Sequence, residues 1–140
     1  MIRLSTALED QQLDVIHAWL TNAYWSRGIG RDLVARAIAH SLCVGAFAED
    51  GRQVGFARLV TDRATFAYLC DVFVDEAARG QGVAGLMLAH LDGLPELAGL
   101  RRWLLVTRDA HDVYARHGWQ TVTDPSWFMQ RVLANPYGAA

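Results

Sequence analysis

Apolar and polar positions alternate along this chain with a spacing that shifts between strand-like and helix-like, and the shifts mark out its elements. Ile2 to Thr6 alternates as a short strand. Thr6-Ala7-Leu8-Glu9 has the Ser/Thr-x-x-Glu spacing of a capping box, and the helix it opens carries Leu13, Ile16 and Leu20 on one stripe and runs to about Leu20. Tyr24-Trp25-Ser26-Arg27-Gly28-Ile29-Gly30 breaks the periodicity as a loop. Arg31 to Ser41 is a second helix, with Val34, Ala37 and Ile38 facing inward. Leu42 to Ala48 reads as a strand, Asp50-Gly51 as a hairpin turn and Gln53 to Thr61 as the returning strand. A polar break at Asp62 to Thr65 leads into Phe66 to Val74, the most apolar strand. Gly82 to about Leu94 is helical, with Leu86, His90 and Leu94 on one face and Pro95 just beyond. Arg102 to Thr107 is a strand, and Ala110 to His117 a short helix that Gly118 stops. Trp119 to Val122 and Trp127 to Val132 read as two final strands around Pro125, and Trp19, Trp103, Trp119 and Trp127 fall at inward positions.

The order is β-α-α-β-β-β-α-β-α-β-β. Antiparallel strands followed by a βαβ crossover predict an α+β or mixed α/β fold. Its 140 residues suit one domain with one core, expected over residues 1–134, with 135–140 as a loose tail. A net charge of −2 removes the positive field of a nucleic-acid binder. All 13 basic residues are Arg. Without Lys there is no Walker A phosphate loop, no pyridoxal Schiff base and no kinase strand Lys. Cys43 and Cys70 both lie in apolar runs and read as buried reduced thiols. Met1 to Asp10 does not read as a signal peptide, and no apolar stretch reaches the roughly 18 residues of a membrane span. A soluble cytoplasmic protein is the expectation.

Chemistry concentrates between Cys70 and Leu86, where a buried strand runs into the glycine-rich turn Arg79-Gly80-Gln81-Gly82-Val83-Ala84-Gly85 and then a helix. Free N–H groups at a helix start, with the positive end of its dipole, make an anion site. Glycine lets a phosphate approach the backbone, and Arg79 adds a cation, which suits a pyrophosphate. Gly80-x-Gly82-x-x-Gly85 also matches the dinucleotide fingerprint, with Asp109 at a ribose-contact distance. Against that reading, five residues separate Val74 from Gly80 and only 55 follow Gly85, too few for a doubly wound sheet.

With these residues the chain resembles the GNAT acyl-CoA N-acyltransferase superfamily, and within it a subgroup of small bacterial members. The family pattern Arg/Gln-x-x-Gly-x-Gly/Ala is met by Arg79 to Ala84. A second family element, Ala, Tyr, Gly and an aromatic residue in fixed spacing, is met by Ala110, Tyr114, Gly118 and Trp119, with Thr107 where Asn is common. Tyr24 to Ile29 and Thr107 to His111 resemble the subgroup's own stretches. The resemblance implies a central, mostly antiparallel sheet flanked by helices. It implies acetyl-CoA as donor, bound along Val72, Phe73 and Val74 and by Arg79, Gly80, Gln81, Gly82, Val83, Ala84 and Gly85. It also implies a primary amine as acceptor, direct attack in a ternary complex, Tyr114 as general acid touching the donor, and frequent dimerisation.

Several readings stay open on the residues themselves. By spacing alone Tyr114 is a helix residue packing on the core. Asp71 interrupts an apolar strand and is either a base acting through water or the ion-pair partner of Arg58, with Phe56 opposite Asp71 if the hairpin is symmetric. Trp25 sits in a loop beside Tyr24 and Arg27, and this aromatic pair with an Arg either closes over an acceptor with an anionic or aromatic group or staples the loop to the sheet. His111 lines the acceptor pocket or caps its helix. No metal-ligand pattern is present. A small-molecule acceptor is expected. The alternatives to an enzyme are a CoA-binding sensor or scaffold without turnover, and a small dinucleotide-binding module.

Overall fold

A computed structural model describes residues 1–138. Its elements in chain order are β1 (Arg3–Ser5), α1 (Leu13–Asn22), α2 (Arg31–Ala39), β2 (Leu42–Phe47), β3 (Gln53–Thr61), β4 (Phe66–Val74), α3 (Val83–Asp92), β5 (Arg102–Leu105) and α4 (His111–Ala115). The strands form one sheet in the order β1-β2-β3-β4-β5. The first three pairings are antiparallel and β4–β5 is parallel, because α3 crosses over between them. This mixed sheet flanked by helices is an α+β fold, and it is not the doubly wound parallel sheet of a dinucleotide module.

Both faces are covered, which explains why β2 is buried at every position. On one face Val44, Ala57, Leu59 and Leu69 pack with Val83, Met87 and Leu91 of α3. On the other, Cys43 and Phe56 pack with Ile16 and Leu20 of α1 and Val34 and Ile38 of α2. Helix α3 approaches the sheet closely over Gly55: a Cβ there would stand 3.0 Å from Val83 Cγ1, 3.1 Å from Ala46 Cβ and 3.2 Å from Met87 Cε. Gly55→Ala therefore overpacks the contact and is expected to cost about 1–2 kcal/mol, read as a lower urea midpoint at unchanged slope.

The chain differs from the sequence expectation near both ends. The capping box does not form: Ser5 Oγ accepts from the Ala7 amide and donates to Asp10, a 3₁₀ turn occupies Leu8–Asp10, and α1 begins at Leu13. The two final strands are absent: Trp119–Val122 and Trp127–Val132 pair with nothing among the described residues. Asp124 instead accepts from the Ser126 amide and hydroxyl and opens a 3₁₀ turn at Pro125–Trp127. The observed order is thus β-α-α-β-β-β-α-β-α, and Trp127 is exposed rather than inward. In the tail, Tyr137 is partly buried and packs against the α1–α2 cluster. Positions 139 and 140 of the expected loose tail lie outside the described residues.

Candidate active site

The β4–β5 pairing ends early. It runs from Phe66↔Arg102 to Leu69↔Leu105, while β4 continues to Val74. Among the described residues nothing pairs with the β5-facing edge of β4 beyond Leu69, so its backbone groups face the gap where the two strands part. Val72, Phe73 and Val74, the residues expected to carry a pantetheine arm, lie on this stretch.

A bulge sits at the same place. Phe56 pairs with Phe73 and Arg58 with Cys70, so Asp71 and Val72 on β4 face the single Ala57 on β3. Asp71 has φ of 55°, a left-handed conformation that Asp tolerates better than most residues. The bulge turns its side chain toward Arg58, whose Nε donates to Asp71 Oδ2 at 2.8 Å. Trp25 Nε1 donates to Asp71 Oδ1 at 2.9 Å. The expected ion pair is present, but Phe56 does not oppose Asp71. The Asp62 carboxylate gathers the amides of Ala64, Thr65 and Phe66, so the turn closes on Thr61 and Ala67 and the register moves by one. Burial opposes the charge of Arg58, but Cys70 and Asp71 beside it outweigh burial and raise its pKa. Burial pushes the Cys43 thiol up to about 12 and the Cys70 thiol to about 11, so neither supplies a thiolate nucleophile near neutral pH.

Beyond β4 the chain makes a 3₁₀ turn at Glu76–Ala78 and Arg79 Nε reaches back to the Val74 carbonyl at 3.0 Å, its guanidinium lying over the Phe73 ring. Trp19 stacks on Phe73, with ring centroids 5.1 Å apart. Gly80 and Gly82 take φ of 79° and 77° and have open space where a Cβ would stand. Gly82 caps α3, whose first amides find no partner within the helix. Positive φ, open space and free amides together fit an anionic phosphate. Gln81 is exposed and Ala84 half-buried. Val83 points into the core, so only its backbone is available to a ligand. Gly85 serves packing as well: a Cβ would stand 3.1 Å from the His117 ring.

Across the gap, Tyr114 on α4 packs edge-on against Trp119, which does the same against Trp103. Burial first, and Tyr24 nearby second, raise the Tyr114 pKa, so the hydroxyl keeps its proton well above neutral pH. Thr107 accepts the Ala110 amide at the start of α4.

The 24–30 loop bridges these elements. Ser26 is buried and donates to the Leu20 carbonyl, and His17 Nε2 lies 3.0 Å from the Ile29 carbonyl. These contacts turn Tyr24 and Trp25 outward and edge-on to each other. Trp25 reaches the β4 bulge, while Tyr24 accepts the Arg108 amide and lies under its guanidinium, 3.9 Å from the ring centroid. Both aromatic side chains thus sit at the mouth of the gap. Arg108 was not among the expected site residues, and Tyr24 was expected only as the aromatic partner of Trp25. Arg27 and His111 are exposed and hold no partner among the described residues, and His111 does not cap α4. No group of three His, Cys, Asp or Glu placed to hold a metal occurs among the described residues, and no helix there is long and apolar enough to cross a membrane.

Residues 39–121 match the acetyltransferase (GNAT) domain family. A crystal structure from Xanthomonas campestris pv. campestris, assigned to the GNAT family as an acetyltransferase, superposes with a TM-score of 0.95 at 41% identity, covering 99% of this chain and 98% of that one. A Gibberella zeae protein named as an acetyltransferase is 29% identical over 126 residues, 76% of this chain and 71% of its own. In fold alone, N-acetylglutamate synthase from Neisseria gonorrhoeae, solved with coenzyme A and N-acetyl-glutamate, is similar with a TM-score of 0.71 at 18% identity, over 88% of this chain and 29% of that chain.

Proposed function

Because the chain belongs to the GNAT acetyltransferase family, we propose that it moves the acetyl group of acetyl-CoA to a primary amine of a small molecule by direct attack in a ternary complex. One observation carries the reading: the open edge of β4 leads straight into the free amides of the Gly80–Gly82 turn, with Tyr114 across the gap. A long donor with a diphosphate at one end and a thioester at the other fits that path. Arg79 and the amides at the start of α3 hold the diphosphate, and the edge from Cys70 to Val74 pairs with the pantetheine amides.

Acetyl-CoA supplies the activated acyl group, and the protein supplies position and proton transfers. Backbone N–H groups of β4 face the developing oxyanion. The neutral amine forms the new C–N bond, the C–S bond breaks, the amine gives up a proton to solvent, and Tyr114 protonates the departing thiolate. With both thiols held protonated, direct attack needs no acyl-enzyme. Selectivity comes from Tyr24, Trp25 and Arg108 at the mouth, with Arg27 and His111 as exposed candidates on the neighbouring loop and helix, a set that suits an amine carrying an anionic or aromatic group.

Calorimetry with acetyl-CoA and thiol release over a panel of primary amines test this. Gly82→Glu puts a charge and a strained residue at the phosphate turn and is expected to weaken binding about tenfold or more while the protein stays folded. Equal affinity in wild type and variant would overturn the placement. Tight binding with no thiol release for any amine would leave a CoA sensor.

A further inference from the structure

We propose, resting on the acetyl transfer inferred above, that the acceptor is a free amino acid, and that Arg108 takes its carboxylate while the neighbouring amine faces the thioester. The observation behind this is a guanidinium that is held in place but not engaged. The Arg108 guanidinium lies 3.9 Å from the centre of the Tyr24 ring, and the Arg108 amide donates to the Tyr24 hydroxyl. The side chain thus rests against a flat surface, yet among the described residues its N–H groups donate no hydrogen bond. Its ion-pair neighbour Asp109 stands at 3.6 Å, too far for a hydrogen bond. Both members of that pair are exposed, at 65% and 67%, so water screens it and it contributes little. A guanidinium seated on a ring keeps its planar fork of donors free, and that fork matches the two oxygens of a carboxylate.

Charge at the mouth selects an anion. The chain as a whole carries −2, yet the unengaged groups here have the opposite sign. Asp71 has one oxygen on Arg58 and the other on Trp25, so its charge is already satisfied. Arg27 is exposed and holds no partner among the described residues. An aromatic pair such as Tyr24 and Trp25 would by itself suit a cation. Arg108 already fills that role on Tyr24, so a polyamine or a lysine-rich tail would meet a like charge.

Position then narrows the class. Tyr24 touches Arg108 and stands close to Tyr114, and Trp25 beside it reaches the β4 bulge. Arg108 is therefore one aromatic residue away from the proton donor of the reaction. An anion bound there is only a few bonds from the attacking nitrogen. That fits a carboxylate on the carbon next to the amine, and it does not fit a phosphate at the far end of a sugar.

The test is thiol release from acetyl-CoA at neutral pH over a panel of free amino acids, each beside its own carboxamide and its decarboxylated amine, with spermidine as a polycation. The carboxamide has the more acidic ammonium, near the roughly 7.7–8.0 of a peptide amino group, so more of it is neutral and intrinsic reactivity favours it. The reverse order is expected: kcat/KM for the preferred amino acid about 10- to 100-fold above its carboxamide, the range of hydrogen bonds to a charged group, and spermidine the poorest. Arg108→Gln is expected to abolish that preference, mostly through KM for the amino acid, and Arg108→Lys, a point charge without the fork, to restore part of it. Calorimetry with CoA and the N-acetylated product, acid against carboxamide, reads the same preference without turnover. Equal or better use of the carboxamides, or an Arg108→Gln enzyme that keeps the acid preference, would overturn the carboxylate site and leave acetyl transfer standing. No thiol release with any primary amine would overturn both.

Discussion

Tyr114→Phe is expected to lower kcat by about 10² to 10⁴ and to leave KM for acetyl-CoA little changed. The substitution keeps the ring that packs on Trp119 and removes only the hydroxyl. That hydroxyl has the properties of a donor. Burial and the neighbouring Tyr24 raise its pKa, so it keeps its proton at and well above neutral pH. It also has no hydrogen-bond partner among the described residues, so nothing competes for its proton. A CoA thiol has a pKa near that of a free cysteine, roughly 8.5, so its thiolate leaves tolerably without help and the upper end of the range is a ceiling. The loss should shrink for donors with a more acidic thiol. The alkaline limb of the wild-type rate profile should not begin until above the ordinary tyrosine range, because the raised pKa keeps the acid form through it. A Phe variant turning over at the wild-type rate would make Tyr114 a packing residue and leave protonation to water.

The parts of this site that were legible in the chain are those built from consecutive residues. β3 and β4 fall where alternation and their turns put them, Gln53–Thr61 and Phe66–Val74, and the glycine turn sits at the start of a helix as its spacing implied. What escaped depends on contacts between distant residues. Tyr24 meets Arg108 across 84 positions, and no local pattern announces that pairing. The partner of Asp71 depends on how Asp62 closes a turn nine residues earlier, which moves the pairs from Thr61 to Arg58 by one, and on the bulge, which moves the pairs beyond it by one more. The last two strands were read from alternation alone. Alternation says which face would be buried, not whether a neighbouring strand is there to bury it, and among the described residues none is.

Asp71→Asn is expected to lower stability by about 3 kcal/mol, a drop in Tm of roughly 10 °C, and to raise KM for the acceptor more than it lowers kcat. Asp71 is 12% exposed at its side chain and Arg58 20%, so Asn leaves a largely buried guanidinium without its counter-charge. Breaking one side of such a pair costs more than removing both. Arg58→Ala should therefore lose a similar amount from the opposite side, and the double variant Arg58→Met, Asp71→Leu should recover much of it. The effect on the acceptor follows from the other oxygen. Asp71 Oδ1 holds Trp25 Nε1, and an amide that turns its oxygen to Arg58 presents its NH₂ to the indole instead. Trp25 is then free to leave the mouth of the gap. Trp25→Phe isolates this contribution: about 1 kcal/mol or less in stability, because the indole is exposed, but the same rise in acceptor KM. The competing role makes the opposite pattern. An Asp71 that relays the amine's proton through water would show its loss in kcat, with a changed acid limb of the rate profile and a Tm near wild type. A normal acid limb with lowered Tm assigns Asp71 to holding Arg58 and Trp25 in place, and a moved acid limb at unchanged Tm assigns it to the proton.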